Sequence, residues 1–287
     1  MGFKRKWGSP GSGDGEFNGV HGIFVYDDEV FVVDDLNNNV QVFTLPGTFV
    51  RKWGSPGAGD GEFDGPQDVA IVNDTVYVVD TFNDRVQVFD LSGNYLGQFG
   101  VAGIGDLEFD TPTSLDIYNN EIYVVDSGND RIEVFTLAGA FVRKWGSPGA
   151  GDGEFSSPQG VAVDDDEVFV TEAVNDRVQV FSLGGAFIRK WGSLGAGDGE
   201  FDEPMGIVVY HGRVYVADTM NHRIQVFKTD GTFIAKFGSL GAGDGEFNNP
   251  LIPATNPGEL FVPDSLNARV QVFSIGKIQY LPLMGIG

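Results

Sequence analysis

His21, His211 and His222 are the only imidazoles in this chain, and there is no cysteine. Thiolate metal sites, cysteine nucleophiles and disulfides are therefore excluded. A catalytic zinc needs several ligands converging on one open position, so three scattered histidines make a weak start for metal chemistry. Carboxylates are plentiful, with 41 Asp and Glu against 18 Lys and Arg. They recur in two arrangements. One is a glycine-rich loop, Gly57-Ala58-Gly59-Asp60-Gly61-Glu62-Phe63, whose carboxylates and free carbonyls could hold a hard cation weakly. The other is Asp-x-x-Asn-x-Arg, as in Asp80, Asn83 and Arg85, where Asp and Asn suit turn backbone and Arg suits a carboxylate. No serine occupies a strained nucleophile elbow, so no Ser-His-Asp triad is expected.

Both arrangements belong to a beat. Val40-Gln41-Val42-Phe43 returns every 46 residues, as Val86, Ile132, Val178, Ile224 and Val270 mark. The loop phenylalanine keeps the same step at Phe17, Phe63, Phe109, Phe155, Phe201 and Phe247. Six copies of Asp-x-x-Asn-x-Arg cannot all be catalytic. They read as scaffold, with Asn39 in the Arg place of the first and Glu172 in the Asp place of the fourth.

Within one repeat, Pro66–Val72, Thr75–Val79, Arg85–Phe89 and Asn94–Phe99 are β-rich runs, separated by the turn signals Asn73-Asp74, Asp80–Asp84 and Leu91-Ser92-Gly93. No segment has helical spacing. At least one strand is apolar on both faces, so each four-stranded meander must lie between neighbours. Units of about 40–50 residues that close radially describe a propeller. The expected fold is all-β: one domain over residues 1–287, a six-bladed β-propeller of four-stranded antiparallel blades. Phe3-Lys4-Arg5-Lys6-Trp7-Gly8 matches the fourth strand Phe49–Gly54. Residues 3–8 should therefore complete the sixth blade, leaving 276–287 as a tail. Ile278-Gln279-Tyr280-Leu281 is a surplus strand candidate that could compete for that place. Pro253 is acceptable in an innermost strand, which is an edge, whereas Pro263 is expected to mark a strand end or a bulge.

A net charge of −23 and a pI near 4.2 repel phosphate backbones and anionic membranes, so neither nucleic acid nor membrane insertion is expected. No apolar run follows Met1–Trp7, and nothing resembles a signal peptide or a membrane span in the sequence as given. The compartment stays open, with a secreted or cell-surface setting favoured over a cytoplasmic one. The basic pairs Arg5-Lys6, Arg51-Lys52, Arg143-Lys144 and Arg189-Lys190 fall in outermost strands, where lysine hinders edge-to-edge pairing.

Gly-x-Gly-Asp-Gly-Glu-Phe-x-x-Pro-x-Gly-Val-Ala-Val, followed by Val-x-Asp-x-x-Asn-x-Arg-Val-Gln-Val-Phe, resembles the NHL repeat along essentially the whole chain. The resemblance implies a propeller used for RNA binding, protein interaction, extracellular sensing or, in the peptidyl-amidating lyases, zinc chemistry. The acidic surface speaks against the first use. Of the three histidines only His21 matches a lyase-type ligand position. His222 fits the common family pattern, and His211 falls in a hairpin on the opposite face.

Function is sought where the repeats differ. The His21 place is taken by Gln67, Thr113, Gln159, Met205 and Leu251, beside Asp68 and Ser114. Around this ring the loops between second and third strands carry Leu36, Phe82, Val174, Met220 and Leu266, with Gly128 in the third blade. An apolar rim of this kind suits a partner. The expected function is a non-catalytic, monomeric binding or scaffold module for a protein, peptide or glycan, contacted by His21, Gln67, Asp68, Thr113, Gln159, Met205, Leu36, Phe82 and Met220. No cofactor is expected beyond a weakly bound calcium or similar cation, for which Asp60, Glu62 and His21 are the candidates. The alternatives are a metal-dependent lyase or hydrolase with His21 as a ligand, and a purely structural or engineered repeat protein with no ligand.

Overall fold

The computed structural model describes residues 1–276. Six four-stranded antiparallel sheets follow one another as blades. The first is Val20–Tyr26, Glu29–Asp34, Asn39–Thr44 and Phe49–Trp53, from the innermost strand to the outermost. The sixth runs Ala254–Asn256, Glu259–Asp264 and Arg269–Ser274, and its outermost strand is the chain's own start, Gly2–Trp7. That strand pairs from Gly2 opposite Ser274 to Trp7 opposite Val270, so the ring closes as expected. The surplus candidate at 278–281 lies outside the described residues. Helical structure among the described residues is limited to three short 3-10 turns, Thr81–Asn83, Ser127–Asn129 and Ser265–Asn267. Among the described residues no helix is long and apolar enough to cross a membrane.

The core consists of six layers, each between two blades. Phe31, Val33, Val40 and Val42 of the first blade pack on Val69, Ile71, Val76 and Val78 of the second. Phe63, from the connecting loop, sits fully buried between them, its ring centroid 5.7 Å from that of Phe89. The same wedge repeats at Phe17, Phe109, Phe155, Phe201 and Phe247. Gly54 makes room for it: φ is +103°, and a Cβ there would lie 2.7 Å from the Phe63 ring.

Polar groups hold the loops over these layers. Arg85 donates to Asp80 at 2.7 Å and to the carbonyls of Gly59 and Glu62 at 2.8 and 2.9 Å. Gln87 donates to Glu62 O and Asp80 and accepts from Gly61 N. Asn83 reaches Gly57 O at 2.9 Å. Blades four to six repeat the arrangement, with Glu172 taking the Asp role toward Arg177. The recurring motif is thus a buried clamp on the glycine-rich loop. The third blade departs from it, since Glu133 stands where the other five carry Gln. Burial pushes its carboxyl up to about 7, although Arg131 lies 3.0 Å away.

The outer-strand basic residues do more than guard an edge. Arg51 pairs with Glu29 at 2.6 Å, lies over the Phe31 ring, and donates to Leu91 O of the next blade at 2.9 Å. Lys52 pairs with Asp14 and Lys144 with Asp106. In the second blade Gly97 and Gln98 replace this pair, and the Tyr77 hydroxyl makes the cross-blade bond to Leu137 O instead, at 2.9 Å.

Pro263 does not mark a strand end or a bulge. It lies in register inside Glu259–Asp264, opposite Val270. Its carbonyl accepts from Leu251 N, so its missing N–H also faces the inner side, where the innermost strand is shortened to Ala254–Asn256. The proline therefore removes no bond from the ladder with the third strand. Pro253 sits just before the shortened strand.

Phe155→Ala should cost about 3–5 kcal/mol in chemical denaturation, because the cavity opens between two blades that cannot collapse independently. Glu133→Gln should stabilise the protein by about 1–2 kcal/mol at pH 8, after discounting for screening through the adjacent loop. The folded-state pKa is raised, so the penalty is present above about 7. It fades as pH falls, and near pH 4.5 the variant and the parent should have equal stability.

Candidate functional site

The innermost strands line the axis and begin on the face that also carries the loops between second and third strands. In the first five blades the ladder slips just after the first residue of the innermost strand, as between Val20 and Ile23, Pro66 and Val69, or Pro204 and Ile207. Such bulges re-aim side chains next to an opening. His21, Gln67, Thr113, Gln159 and Met205 all fall within these slips. The strands also approach closely: a Cβ on Gly206 would lie 2.4 Å from Ile252 Cα, and one on Gly22 2.6 Å from Gln67 O.

Much of this ring's bonding runs from blade to blade. The Thr113 hydroxyl donates to Gln159 O at 2.8 Å. Gln159 donates to the hydroxyls of Ser157 and Ser127. Met205 O accepts from Thr171. His21 is buried, which lowers its pKa to about 4, partly offset by a hydrogen bond to the Gln67 backbone. Its Nδ1 is buried without a hydrogen-bond partner, as is Gln67 Oε1.

Below the ring the axis narrows to a channel of about 230 Å³ with an apolar belt of Ile23, Val69, Leu115, Val161, Ile207 and Pro253. Two carboxylates interrupt it. Asp68 accepts from Ser114 Oγ at 2.7 Å and Leu115 N at 3.1 Å, and burial pushes its pKa up to about 7. Asp116 accepts from Val163 N at 2.7 Å and is raised to about 6 for the same reason. Both bind an inward-facing amide of the next blade's innermost strand, an edge that otherwise has no ladder partner. Sequence reasoning missed Asp116. Its signal is that it breaks a column otherwise filled by Phe24, Ala70, Ala162, Val208 and Ala254.

Outside the ring, the loop tips stand clear of the blades. Leu36 is 68% exposed, Phe82 60%, Val174 65%, Leu266 65% and Met220 46%. Their height is set by backbone. Phe82, Met220 and Leu266 donate to the carbonyls of Asp64, Asp202 and Asn248. Two residues on, Asn38, Asp84, Asp130, Asp176 and His222 adopt positive φ, and each side chain accepts an amide of the following blade at 2.8–3.3 Å.

The histidines remain apart. His222 binds Asn249 N at the loop face, and His211 lies in a hairpin against Tyr210. Asp60 and Glu62 lie at the outer radius, far along the blade from His21. Glu62 accepts from Gly59 N at 2.8 Å, and Asp60 bonds the outer-strand Tyr95 hydroxyl. Among the described residues, no three His, Cys, Asp or Glu are grouped to hold a metal.

Residues 12–102, 104–168 and 202–279 match the family model described as 6-bladed beta-propeller. The chain belongs to that family. No curated protein matches this propeller in sequence. Its solved structural relatives include a protein of unknown function from Bacteroides thetaiotaomicron, 17% identical, with a TM-score of 0.74 over 93% of this chain and 74% of that one. Virginiamycin B lyase from Staphylococcus aureus is 15% identical, with a TM-score of 0.59 over 90% and 85%. A gluconolactonase from Xanthomonas campestris is 12% identical, with a TM-score of 0.66 over 89% and 86%. At such identities the likeness is one of fold.

Proposed function

We propose that this propeller, with repeats of NHL type, is a non-catalytic binding or scaffold module that takes a protein, peptide or glycan on its loop face. The observation that carries the reading is the apolar rim: in five of six blades the equivalent loop tip presents a large apolar residue to solvent. Single exposed apolar residues are ordinary, whereas a repeated set at one height on one face is a patch. The tips are fixed by backbone and cross-blade bonds, so a ligand meets them with little ordering cost. His21, Gln67, Thr113, Gln159 and Met205 then form the inner boundary of the contact surface, with Asp68 just below them.

The enzyme reading has less support. Lyase and lactonase propellers share the fold. The donor set here does not suit a metal, however, because His21 is buried and engaged with Gln67 and no second imidazole approaches it. The channel carboxylates are held by strand amides.

The test is selection from a displayed random-peptide library and a glycan array, repeated on Phe82→Asp/Leu266→Asp. The double variant should keep its melting temperature within about 2 °C, because these are solvent-exposed tips. It should lose at least about tenfold in affinity for the selected ligands, since central apolar anchors dominate contact energy. Undiminished binding by a folded variant would remove the rim from the site. A collapsed melting temperature would make these residues core.

A further inference from the structure

Between the fourth and fifth blades the loop face contains a depression of about 490 Å³, with Ala173, Val174 and Met205 on its walls and Asp176, Asp202 and Glu203 around it. Several departures from the repeat meet here. Ala173 stands in a column of Asp35, Thr81, Ser127, Thr219 and Ser265. Glu203 stands in a column of Gly19, Gly65, Thr111, Ser157 and Asn249.

The first departure leaves an apolar wall. In the fifth blade the Thr219 hydroxyl bonds Pro250 O at 2.9 Å across the seam. Ala173 offers no hydroxyl. In the fourth blade a different bond crosses the seam: the fully buried Thr171 donates to Met205 O at 2.5 Å, from a position where the other blades have Val33, Val79, Val125, Ala217 or Pro263. That bond lies inside the blade, and the depression above it keeps an apolar wall.

The second departure adds charge. Glu203 is exposed at φ +49°, a conformation that a side chain disfavours, and its amide is held by Asp176 at 3.0 Å. Asp176 has a raised pKa, from burial first and then from the charges of Asp202 and Asp218. No lysine or arginine lines the depression.

We propose that this seam is the specificity pocket of the loop face and takes a lysine-type side chain of a peptide or protein partner. The aliphatic stem lies on Ala173, Val174 and Met205, and the ammonium lies among Glu203, Asp202 and Asp176. Long cationic side chains combine these needs, an apolar stem and a charged head. The proposal rests on the binding-module reading and adds to it the charge of the partner.

The probes are N-acetyl-lysine methylamide and its uncharged counterpart N-acetyl-norleucine methylamide, titrated into the methyl-labelled full chain and followed by NMR. The lysine amide should shift the Ala173, Val174 and Met205 methyls saturably, more weakly as salt rises. The norleucine amide should bind at least about fivefold more weakly, the scale of an exposed charge pair. Ala173→Thr/Glu203→Ser restores residue types found in other blades, so the fold should persist, with an unchanged spectrum elsewhere, and the response should vanish. Equal response to both amides, a response surviving in that variant, or no response at these methyls would overturn the proposal. None of these outcomes involves Phe82 or Leu266, so failure here leaves the rim reading to its own test, and failure there leaves this one.

Discussion

A β-sheet that is apolar on both faces cannot rest against water on either side. Every blade of this protein is built that way, with Val32 and Val33, or Val78 and Val79, buried on opposite faces of one strand. Each blade must therefore be covered twice, and a ring is the arrangement in which the last blade finds its second cover without a special cap. The consequences follow in order. The first strand of the chain joins the last blade, so the closing layer contains Phe17 and Val20 from one end of the sequence and Val270 and Val272 from the other. The splayed outer part of each layer is filled by the loop phenylalanine, and glycine at positive φ lets that ring approach.

The loops above the layers carry the polar counterpart of this constraint. Asp80 with Arg85, Asn83 and Gln87 satisfies carbonyls and amides that would otherwise lie buried without partners. Buried ion pairs contribute little net stability, because desolvation offsets attraction. Their effect here is geometric: each clamp fixes one loop against one blade. The second blade shows that the geometry, rather than any one residue, is retained. Its outer strand lacks the Arg that crosses to the next blade from the first, third, fourth and sixth blades, and a tyrosine hydroxyl reaches the equivalent carbonyl. A rigid rim results, and rigidity lets exposed side chains serve as anchors without being ordered first.

The fold was legible because its determinant is periodic. A 46-residue step with the same apolar pattern six times leaves few architectures, and the match of Phe3–Gly8 to Phe49–Gly54 disclosed the closing strand. The candidate site was legible only as columns of difference. His21, Gln67, Thr113, Gln159 and Met205 could be aligned, but the bulges that re-aim them depend on pairing register, which local sequence does not display. Asp116 was overlooked because its role is defined by an amide 47 residues away, Val163 N. Pro263 was misread because the cost of a missing N–H depends on which neighbour it faces, and that neighbour is a strand shortened in this blade alone. The exposure of Leu36 and Phe82, against tucking onto the adjacent blade, is likewise a property of packing.

Symmetry makes the location of a binding site a physical question. Six equivalent loops would offer a ligand six equivalent, shallow contacts, and a single partner could not use them all with the same chemistry. Selectivity requires that one seam differ in shape and charge while still closing the ring. Between the fourth and fifth blades the loop position that holds Asp35, Thr81, Ser127, Thr219 or Ser265 elsewhere is Ala173, and a cross-blade bond comes from inside the blade, from Thr171 to Met205 O. Because that bond lies below the loop, the surface above it is apolar without the two blades losing their connection. A local difference of this kind confines its effect to whatever touches that surface, and it sets the wall of this seam apart from the polar position at the other five.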